Sequence, residues 1–309
     1  MKSGKIVVIG SSNMDMVVKT DHIPAPGETV LCGSFLMNPG GKGANQAVAV
    51  ARLGGDSLFI CKVGDDVFGR QFTYLFNDEQ IDTSFVIPDE SLPSGVALIT
   101  VDESGENSIV VASGANANLF VQDIEPALKE IAQASILLLQ LEIPMETVHY
   151  AIRYASSQGV KVILNPAPAR ALPAGLLAQV DILTPNKTEA AMISGVQVSD
   201  IESAINAGKI IREMGVKNVV ITMGSQGAVV CQQSGCRVLP APEMKAIDTT
   251  AAGDTFNGAL AVALSENKPL EAAVAYACEA AAISVTRFGA QSSIPHRNEI
   301  ITRKLDLAD

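Results

Sequence analysis

The stretch Ile247-Asp248-Thr249-Thr250-Ala251-Ala252-Gly253-Asp254-Thr255-Phe256-Asn257-Gly258 sets one carboxylate before and one after a run of small residues, just ahead of an apolar helical pattern through Phe256, Leu260 and Leu264. A helix start carries unpaired N–H groups and the positive end of the helix dipole, so it attracts anions. Side chains as small as those at 251–253 let a phosphate-sized anion approach the N–H groups of Ala252 and Gly253. Asp254 then stands in the first helical turn, where it can accept a proton from a neighbouring group. Taken alone, Asp254 reads as a helix cap, because Asp at a helix start is common. Asp248 and the small run between the two carboxylates weaken that reading without removing it.

A second glycine-rich segment, Pro39-Gly40-Gly41-Lys42-Gly43-Ala44-Asn45-Gln46-Ala47, also opens a helical pattern. It is not a P-loop, because the upstream glycine is missing at the required spacing and Lys42 is followed by Gly43. Nor is it a dinucleotide fingerprint. On its own it says that backbone approaches something closely at a helix start, with Asn45 readable as a surface amide and Lys42 as a solvated cation.

The elements that must carry these segments are legible from periodicity. Short apolar, β-branched runs recur at Lys5–Ile9, Ser57–Val63, Ser135–Leu141, Val160–Leu164, Asp181–Thr184 and Asn218–Met223. Between them lie helical spacings: Ala44, Ala47, Val48 and Ala51; Ile124, Leu128 and Ile131; Ile201, Ala204, Ile205 and Gly208. Non-alternating strands separated by amphipathic helices predict an α/β fold, doubly wound, with a mainly parallel central sheet and helices on both faces. Two stretches break the rhythm as strand–turn–strand without a helix: Met14–Thr20 with Val30–Met37, and Gly95–Val101 with Asn107–Ala112. Pattern alone leaves open whether they form a small separate sheet or two edge hairpins. With no long linker or internal repeat, one folding unit over residues 1–309 is expected, with a protruding subdomain from about 14–38 and 94–112.

Composition narrows the function. Of 309 residues 48% are hydrophobic but only 4% aromatic, with no Trp, which predicts a large aliphatic core. A net charge of −11 lacks the footprint of a nucleic-acid or anionic-membrane binder, so a phosphorylated ligand would need a focused site. The apolar run at the N-terminus is too short for a signal peptide and no stretch reaches membrane-spanning length, so a cytoplasmic protein is expected. Cys32, Cys61, Cys231, Cys236 and Cys278 are odd in number and mostly within apolar runs, which predicts buried free thiols in a reducing compartment. His22, His149 and His296 lie far apart, with no zinc-ligand spacing.

Together, Gly40-Gly41-Lys42-Gly43-Ala44-Asn45 and Asp248-Thr249-Thr250-Ala251-Ala252-Gly253-Asp254 closely resemble the paired signatures of the ribokinase-like carbohydrate kinase family. Further matches follow in order: Gly10-Ser11-Ser12-Asn13-Met14-Asp15, Pro26-Gly27-Glu28-Thr29, Val63-Gly64-Asp65-Asp66, Asn165-Pro166-Ala167-Pro168-Ala169, Thr184-Pro185-Asn186-Lys187-Thr188-Glu189 and Thr222-Met223-Gly224-Ser225-Gln226-Gly227. They span almost the whole chain. One departure is Ala251, where the commoner family residue is Gly; Ala serves there if its φ is negative.

The resemblance implies specific roles. Asn13, Asp15, Gly41, Lys42, Asn45 and Glu142 bind sugar hydroxyls together with Asp254. Asn186 and Glu189 organise Mg2+ and the triphosphate of ATP, partly through water, while also reading as an N-cap and N3 pair. Thr222, Gly224, Ser225, Gly227, Ala252, Gly253 and Cys278 line the nucleotide cleft. A monovalent cation, normally K+, sits beside the anion site, held by the Asp248 carboxylate, by the carbonyls of Thr250, Ser284, Arg287 and Gly289, and by Ser293. The implied reaction is in-line transfer of the γ-phosphoryl group of ATP to a primary sugar hydroxyl, O5 of ribose first, with Asp254 accepting the proton and the Ala252 and Gly253 N–H groups stabilising the transferring oxygens. The two strand–turn–strand stretches match the family's lid, through which a homodimer is implied. Alternatives are a kinase for deoxyribose, a hexose, a sugar phosphate or a nucleoside; a non-catalytic sugar- or nucleotide-binding regulator, disfavoured by intact Asp254, Asn186 and Glu189; and a dinucleotide oxidoreductase, disfavoured because no glycine fingerprint follows the first strand.

Overall fold

A computed structural model of the chain describes residues 4–31 and 33–300. All four residues of β1 (Ile6–Ile9) are fully buried, and they alternate between two cores: Ile6 and Val8 face one, Val7 and Ile9 the other. A strand covered on both faces needs apolar side chains at every position, which is why such runs do not alternate. The same logic builds β4 (Ser57–Gly64), β8 (Ile136–Leu139), β9 (Lys161–Leu164), β10 (Ile182–Leu183) and β11 (Asn218–Thr222), which lie parallel in the order β11-β10-β9-β8-β1-β4. Three further strands extend this sheet at its ends beyond the sequence expectation. β5 (Asp82–Asp89) joins parallel to β4, while β12 (Ala228–Gln232) and β13 (Gly235–Leu239) add antiparallel at the other end. β5 and β13 are part-exposed, so they lack the continuous apolar run that marks the interior strands.

Helices cover both faces. α1 (Lys42–Arg52), α2 (Val67–Asp78), α9 (Ala252–Ser265) and α10 (Leu270–Ser284) pack on one core. α3 (Val121–Ile124), α4 (Leu128–Gln133), α5 (Met145–Ser157), α6 (Ala174–Leu177), α7 (Lys187–Ser194) and α8 (Ile201–Glu213) lie along the chain on the other side, with α5 and α8 contributing most to the second core. The helical period seen through Ile124, Leu128 and Ile131 is split by a 3₁₀ turn at Glu125–Ala127, where Pro126 cannot continue the α-helical ladder. The cores are mainly aliphatic; of the buried aromatic rings, Phe72 stacks on Phe76, Phe59 meets Phe76 edge-on, and Phe256 lies on α9. Among the described residues no helix is long and apolar enough to cross a membrane.

The two strand–turn–strand stretches form one separate four-stranded sheet rather than two edge hairpins: β2 (Asn13–Lys19), β3 (Ser34–Gly40), β6 (Gly95–Val101) and β7 (Asn107–Ala112), in the order β3-β2-β6-β7. β2 and β6 run parallel, and this pairing welds the hairpins together. The expected free thiols need correction. Cys231 and Cys236 are bonded as a disulfide, because the β12–β13 register sets them directly opposite each other, with Cα atoms 4.1 Å apart. Cys61 and Cys278 are free and buried, and Cys32 lies outside the described residues.

The glycines at the start of α1 serve close approach of the chain to itself. A Cβ at Gly43 would fall 2.6 Å from the Gly10 carbonyl carbon and the Ser11 nitrogen, and one at Gly41 (φ 88°) would fall 2.7 Å from the Asn13 nitrogen. The helix start is thereby pressed against the β1–β2 connection, and its N–H groups are taken: Lys42 N–H donates to Glu142 Oε2, Gly43 N–H to Ser11 Oγ, and Ala44 N–H to the Ser11 carbonyl. Gly43→Ala should therefore force α1 off the connection and destabilise the fold by about 1–3 kcal/mol, read from urea unfolding; an unchanged midpoint would show that this approach is not tight.

Candidate active site

The functional segments follow the C-terminal ends of parallel strands, where open α/β sheets leave a crevice. Residues 10–13 follow β1, Gln140 and Glu142 follow β8, Asn165 follows β9, Thr184 and Asn186 follow β10, and Gly224 follows β11. Above them α9 begins with Ala252, Gly253 and Asp254 as its first three residues. Ala251 enters this helix at φ 58°, so the negative φ expected for an alanine there is not what the chain adopts. The tight reversal between Thr249 and α9, closed by a 3.2 Å bond from Ala252 N–H to the Thr249 carbonyl, demands the left-handed conformation; for a residue with a Cβ this costs about 1–2 kcal/mol. That bond occupies the Ala252 N–H. Among the described residues Gly253 N–H has no hydrogen-bond acceptor, and a Cβ built on Gly253 would meet nothing within 4 Å, so this part of the helix start is open.

The Asp254 carboxylate is only 7% exposed. Asn45 Nδ2 donates to its Oδ2 at 2.9 Å and Gln46 Nε2 to its Oδ1 at 3.0 Å. Burial pushes its pKa up, opposed by the Lys42 charge and by the Asn45 and Gln46 hydrogen bonds, and reinforced by Glu142. Lys42 is a half-buried cation facing carboxylates rather than a freely solvated one. Burial favours its neutral form, yet Asp254, Glu142, Glu189 and Asp15 together raise its pKa, so it stays an ammonium. Asn45 is likewise buried rather than a surface amide.

On the β2 side, Asp15 belongs to the same charge cluster. Burial, then Glu142 and Asp254, raise its pKa to about 7 against the pull of Lys42. Glu142 accepts from Ser11 Oγ and stands 4.0 Å from Lys42 Nζ. Asn13 and Glu142 line a cleft of about 440 Å³ together with Asn116, Ser113 and Arg170. Asn116 is buried and donates from Nδ2 to Asn13 Oδ1 at 2.8 Å, leaving the Asn13 NH2 group free to donate elsewhere. The sequence offers no local sign of Asn116, whose partner is 103 residues away.

On the other side of α9 a 550 Å³ cleft is lined by Thr222, Gly224, Ser225, Gly227, Ala252, Gly253 and Cys278, all of them expected there. Its walls are mostly small and apolar, with Phe256, Ala281, Ala282 and Val285 at the base. Asn186 and Glu189 do not line this cleft. They form a reciprocal capping box at the start of α7, and Glu189 is close enough to Lys42 and Asp254 to feel both charges. Burial raises the Glu189 pKa, opposed by the Asn186 N–H and by Lys42. Asp248 ties two loops together: Oδ1 accepts from Thr250 N–H and Oγ1, and Oδ2 accepts from Gly289 N–H at 2.9 Å. Among the described residues the carbonyls of Thr250, Arg287 and Gly289 accept no hydrogen bond, whereas that of Ser284 is taken by Arg287 N–H. Ser293 Oγ turns back to the Ala290 carbonyl.

The apolar cleft thus reaches the start of α9 through Ala252 and Gly253, and the charged groups Asp15, Lys42, Glu142 and Glu189 gather around the buried Asp254 carboxylate of the same helix turn. Comparison with known proteins finds relatives along nearly the whole chain. The pfkB family carbohydrate kinase profile matches residues 3–297. Ribokinase from Haemophilus influenzae is 45% identical over 296 residues, covering 96% of this chain and 97% of the relative. Ribokinase from Bacillus subtilis is 42% identical over 295 residues, covering 96% and 97%. Among solved structures, ribokinase from Arabidopsis thaliana, complexed with ribose and ATP, superposes with a TM-score of 0.91 at 32% identity, covering 97% of this chain and 98% of that one.

The Asp15 charge generates a signed expectation. A carboxyl whose folded-state pKa lies near 7 holds its proton more tightly folded than unfolded, so its ionisation lowers stability as pH rises from about 4 through 7. Asp15→Asn removes that penalty. It should raise the unfolding free energy at pH 8 by on the order of a few kcal/mol, and by less at pH 5. A variant no more stable at pH 8 than the parent would contradict the charge cluster.

Proposed function

The chain belongs to the pfkB family of carbohydrate kinases, and from that membership we propose that it transfers the γ-phosphoryl group of ATP to the 5-hydroxyl of D-ribose, giving ribose 5-phosphate and ADP. The observation that carries this reading is the Asp254 carboxylate, buried in the first turn of α9 among Lys42, Glu142 and Asp15 and held by Asn45 and Gln46. The near full-length identity to ribokinases supports ribose as the sugar.

Asn13, Asp15, Gly41, Lys42, Asn45 and Glu142 hold the sugar hydroxyls. Amide donors and carboxylate acceptors side by side suit vicinal hydroxyls, and a competitor lacking one leaves a buried partner unpaired. The primary hydroxyl is aimed at Asp254, which takes its proton as the bond to phosphorus forms; a loose transition state needs the acceptor late, so a carboxylate suffices. Gly253 N–H, with Ala252 N–H once its long bond to Thr249 gives way, faces the transferring oxygens, and the helix dipole adds to their field. Lys42 lies among the carboxylates, where its charge offsets their repulsion.

ATP binds as its Mg2+ complex, with Thr222, Gly224, Ser225, Gly227 and Cys278 around the nucleoside. Glu189 is already engaged by Asn186, which suits holding magnesium-bound water better than direct ligation. A K+ site fits the Asp248 loops: one carboxylate and a set of uncommitted carbonyls is an oxygen donor set of low charge. Thr250, Ser284, Arg287, Gly289 and Ser293 would complete it. When bound, the ion would add positive field beside the anion site and hold its loop.

The four-stranded sheet acts as a lid over the sugar. Its register sets Asn38, Asp15, Ala97 and Val111 in a row on the face that carries the site, and Met37, Met16, Leu98 and Val110 in a row on the opposite face. Met37, Leu98 and Val110 are about half exposed, and a second copy of the lid covers them in a homodimer. The enzyme works in the cytoplasm, where ATP is at hand.

Asp254→Asn should lower kcat about 10²–10⁴-fold while the ADP dissociation constant stays within a few fold; near-normal turnover would sink the assignment. A panel of ribose, deoxyribose, fructose and adenosine, each in potassium and in sodium, should give the highest kcat/KM for ribose in potassium. Preference for another acceptor overturns ribose, and equal rates in both salts overturn the cation site. Leu98→Glu should give monomers in sedimentation; a dimer that persists would overturn the lid interface.

A further inference from the structure

Behind Asp254, buried polar side chains from four segments close a hydrogen-bonded ring. Gln46 Nε2 donates to both Asp254 Oδ1 (3.0 Å) and Asn165 Oδ1 (3.1 Å). Asn165 Nδ2 donates to the Thr184 carbonyl (3.2 Å), Thr184 Oγ1 donates to Asn257 Oδ1 (2.6 Å), and Asn257 Nδ2 donates to the Gly253 carbonyl (2.8 Å), one residue from the start. Outside the ring, Gln140 Nε2 donates to Gln46 Oε1 at 2.6 Å. Gln46 and Gln140 are 0% exposed.

The donor directions admit one arrangement. A carbonyl only accepts, so the Asn165 NH2 must face Thr184, which turns Asn165 Oδ1 toward Gln46. Gln46 then confronts two acceptors, Asn165 Oδ1 and the Asp254 carboxylate, and must present its NH2 group to both. Gln140 locks the other end by donating to Gln46 Oε1. A glutamine that only filled space here would be replaceable by an apolar residue at little cost, whereas this one has both its hydrogens and its oxygen committed.

We propose that Gln46 is a positioning residue for the Asp254 carboxylate, fixing its plane and favouring its ionised form, and that Asn165 and Gln140 act through Gln46 by holding its amide in the donating orientation. This rests on Asp254 as the proton acceptor. Four charged groups face that carboxylate: Lys42 on α1, which favours ionisation, and Glu142 after β8, Asp15 on β2 and Glu189 on α7, which oppose it. With three carboxylates and burial against it, the carboxylate depends on Lys42, Asn45 and Gln46 to stay charged.

The test is the pH profile of kcat/KM for Gln46→Leu and Gln46→Glu, with ADP affinity measured by calorimetry. Loss of a hydrogen bond to a buried carboxylate should move the acid limb up by about one pH unit, with ADP affinity kept within a few fold. Where Gln46→Leu fails to fold, the isosteric Gln46→Glu decides, because a second buried carboxylate beside Asp254 also drives the limb upward. Asn165→Leu should shift the limb alone but add nothing to Gln46→Leu, since it acts through that residue. An acid limb that stays in place in Gln46→Glu while stability falls overturns the proposal and leaves Gln46 a packing residue. Asp254→Asn run alongside separates the two claims: an inactive Asp254→Asn with unshifted Gln46 variants defeats this inference alone, and an active Asp254→Asn defeats the reading beneath it.

Discussion

Taking the Asp254 carboxylate out of water is the constraint on which the rest of the structure depends. A buried carboxylate must be met by opposite charge or donors, or it takes up a proton. Here the opposite charge and both donors come from one helix, since Lys42, Asn45 and Gln46 all lie in the first turns of α1. They reach Asp254 only if α1 and α9 pack with backbones close together. A Cβ at Gly258 would fall 2.4 Å from that of Ala49, so the contact needs a glycine on α9 against an alanine on α1. The shortage of aromatic residues and the abundance of alanine on both helices follow from that closeness.

The two helix starts use the same local chemistry to opposite ends. At α1 the first N–H groups are consumed by Ser11 and Glu142, and the glycines let the chain press against itself. At α9 the space around Gly253 is open and its N–H is unclaimed among the described residues. A glycine-rich helix start is therefore not in itself an anion site; what matters is whether a neighbouring strand connection has already occupied it.

This difference marks how far the sequence could be read. The interior strands were legible because burial on both faces leaves an unbroken apolar run, and the helix start that carries Asp254 was legible because the residues before it are small, while the part given to Asp254 there came from the family resemblance. The sheet edges β5 and β13 were not, since half-exposed strands mix polar and apolar residues without a clean period. Asn116, Gln140 and Asn165 gave no sign of a role at the site: an amide reads as a surface group until its partner is known, and those partners lie 94 to 119 residues away for Gln140, Asn165 and Asn116 alike. Lys42 and Asn45 read as solvated for the same reason. The Cys231–Cys236 bond was hidden by a hairpin whose second strand has no strong pattern, and the left-handed Ala251 by the tolerance of alanine for most other conformations.

Asn13 and Asp15 stand on β2, a strand of the four-stranded sheet, whereas Lys42, Asn45 and Asp254 stand on helices packed against the central sheet. A small molecule gripped by both groups is a crosslink between two bodies that are otherwise joined by few covalent paths. Occupancy and the relative order of the two sheets then belong to a single linked equilibrium, and linkage is reciprocal. Whatever steadies the small sheet tightens the ligand by the same factor by which the ligand steadies the sheet. A second molecule settling on Met37, Leu98 and Val110 is in that sense an effector, acting from the far side of a layer one strand thick.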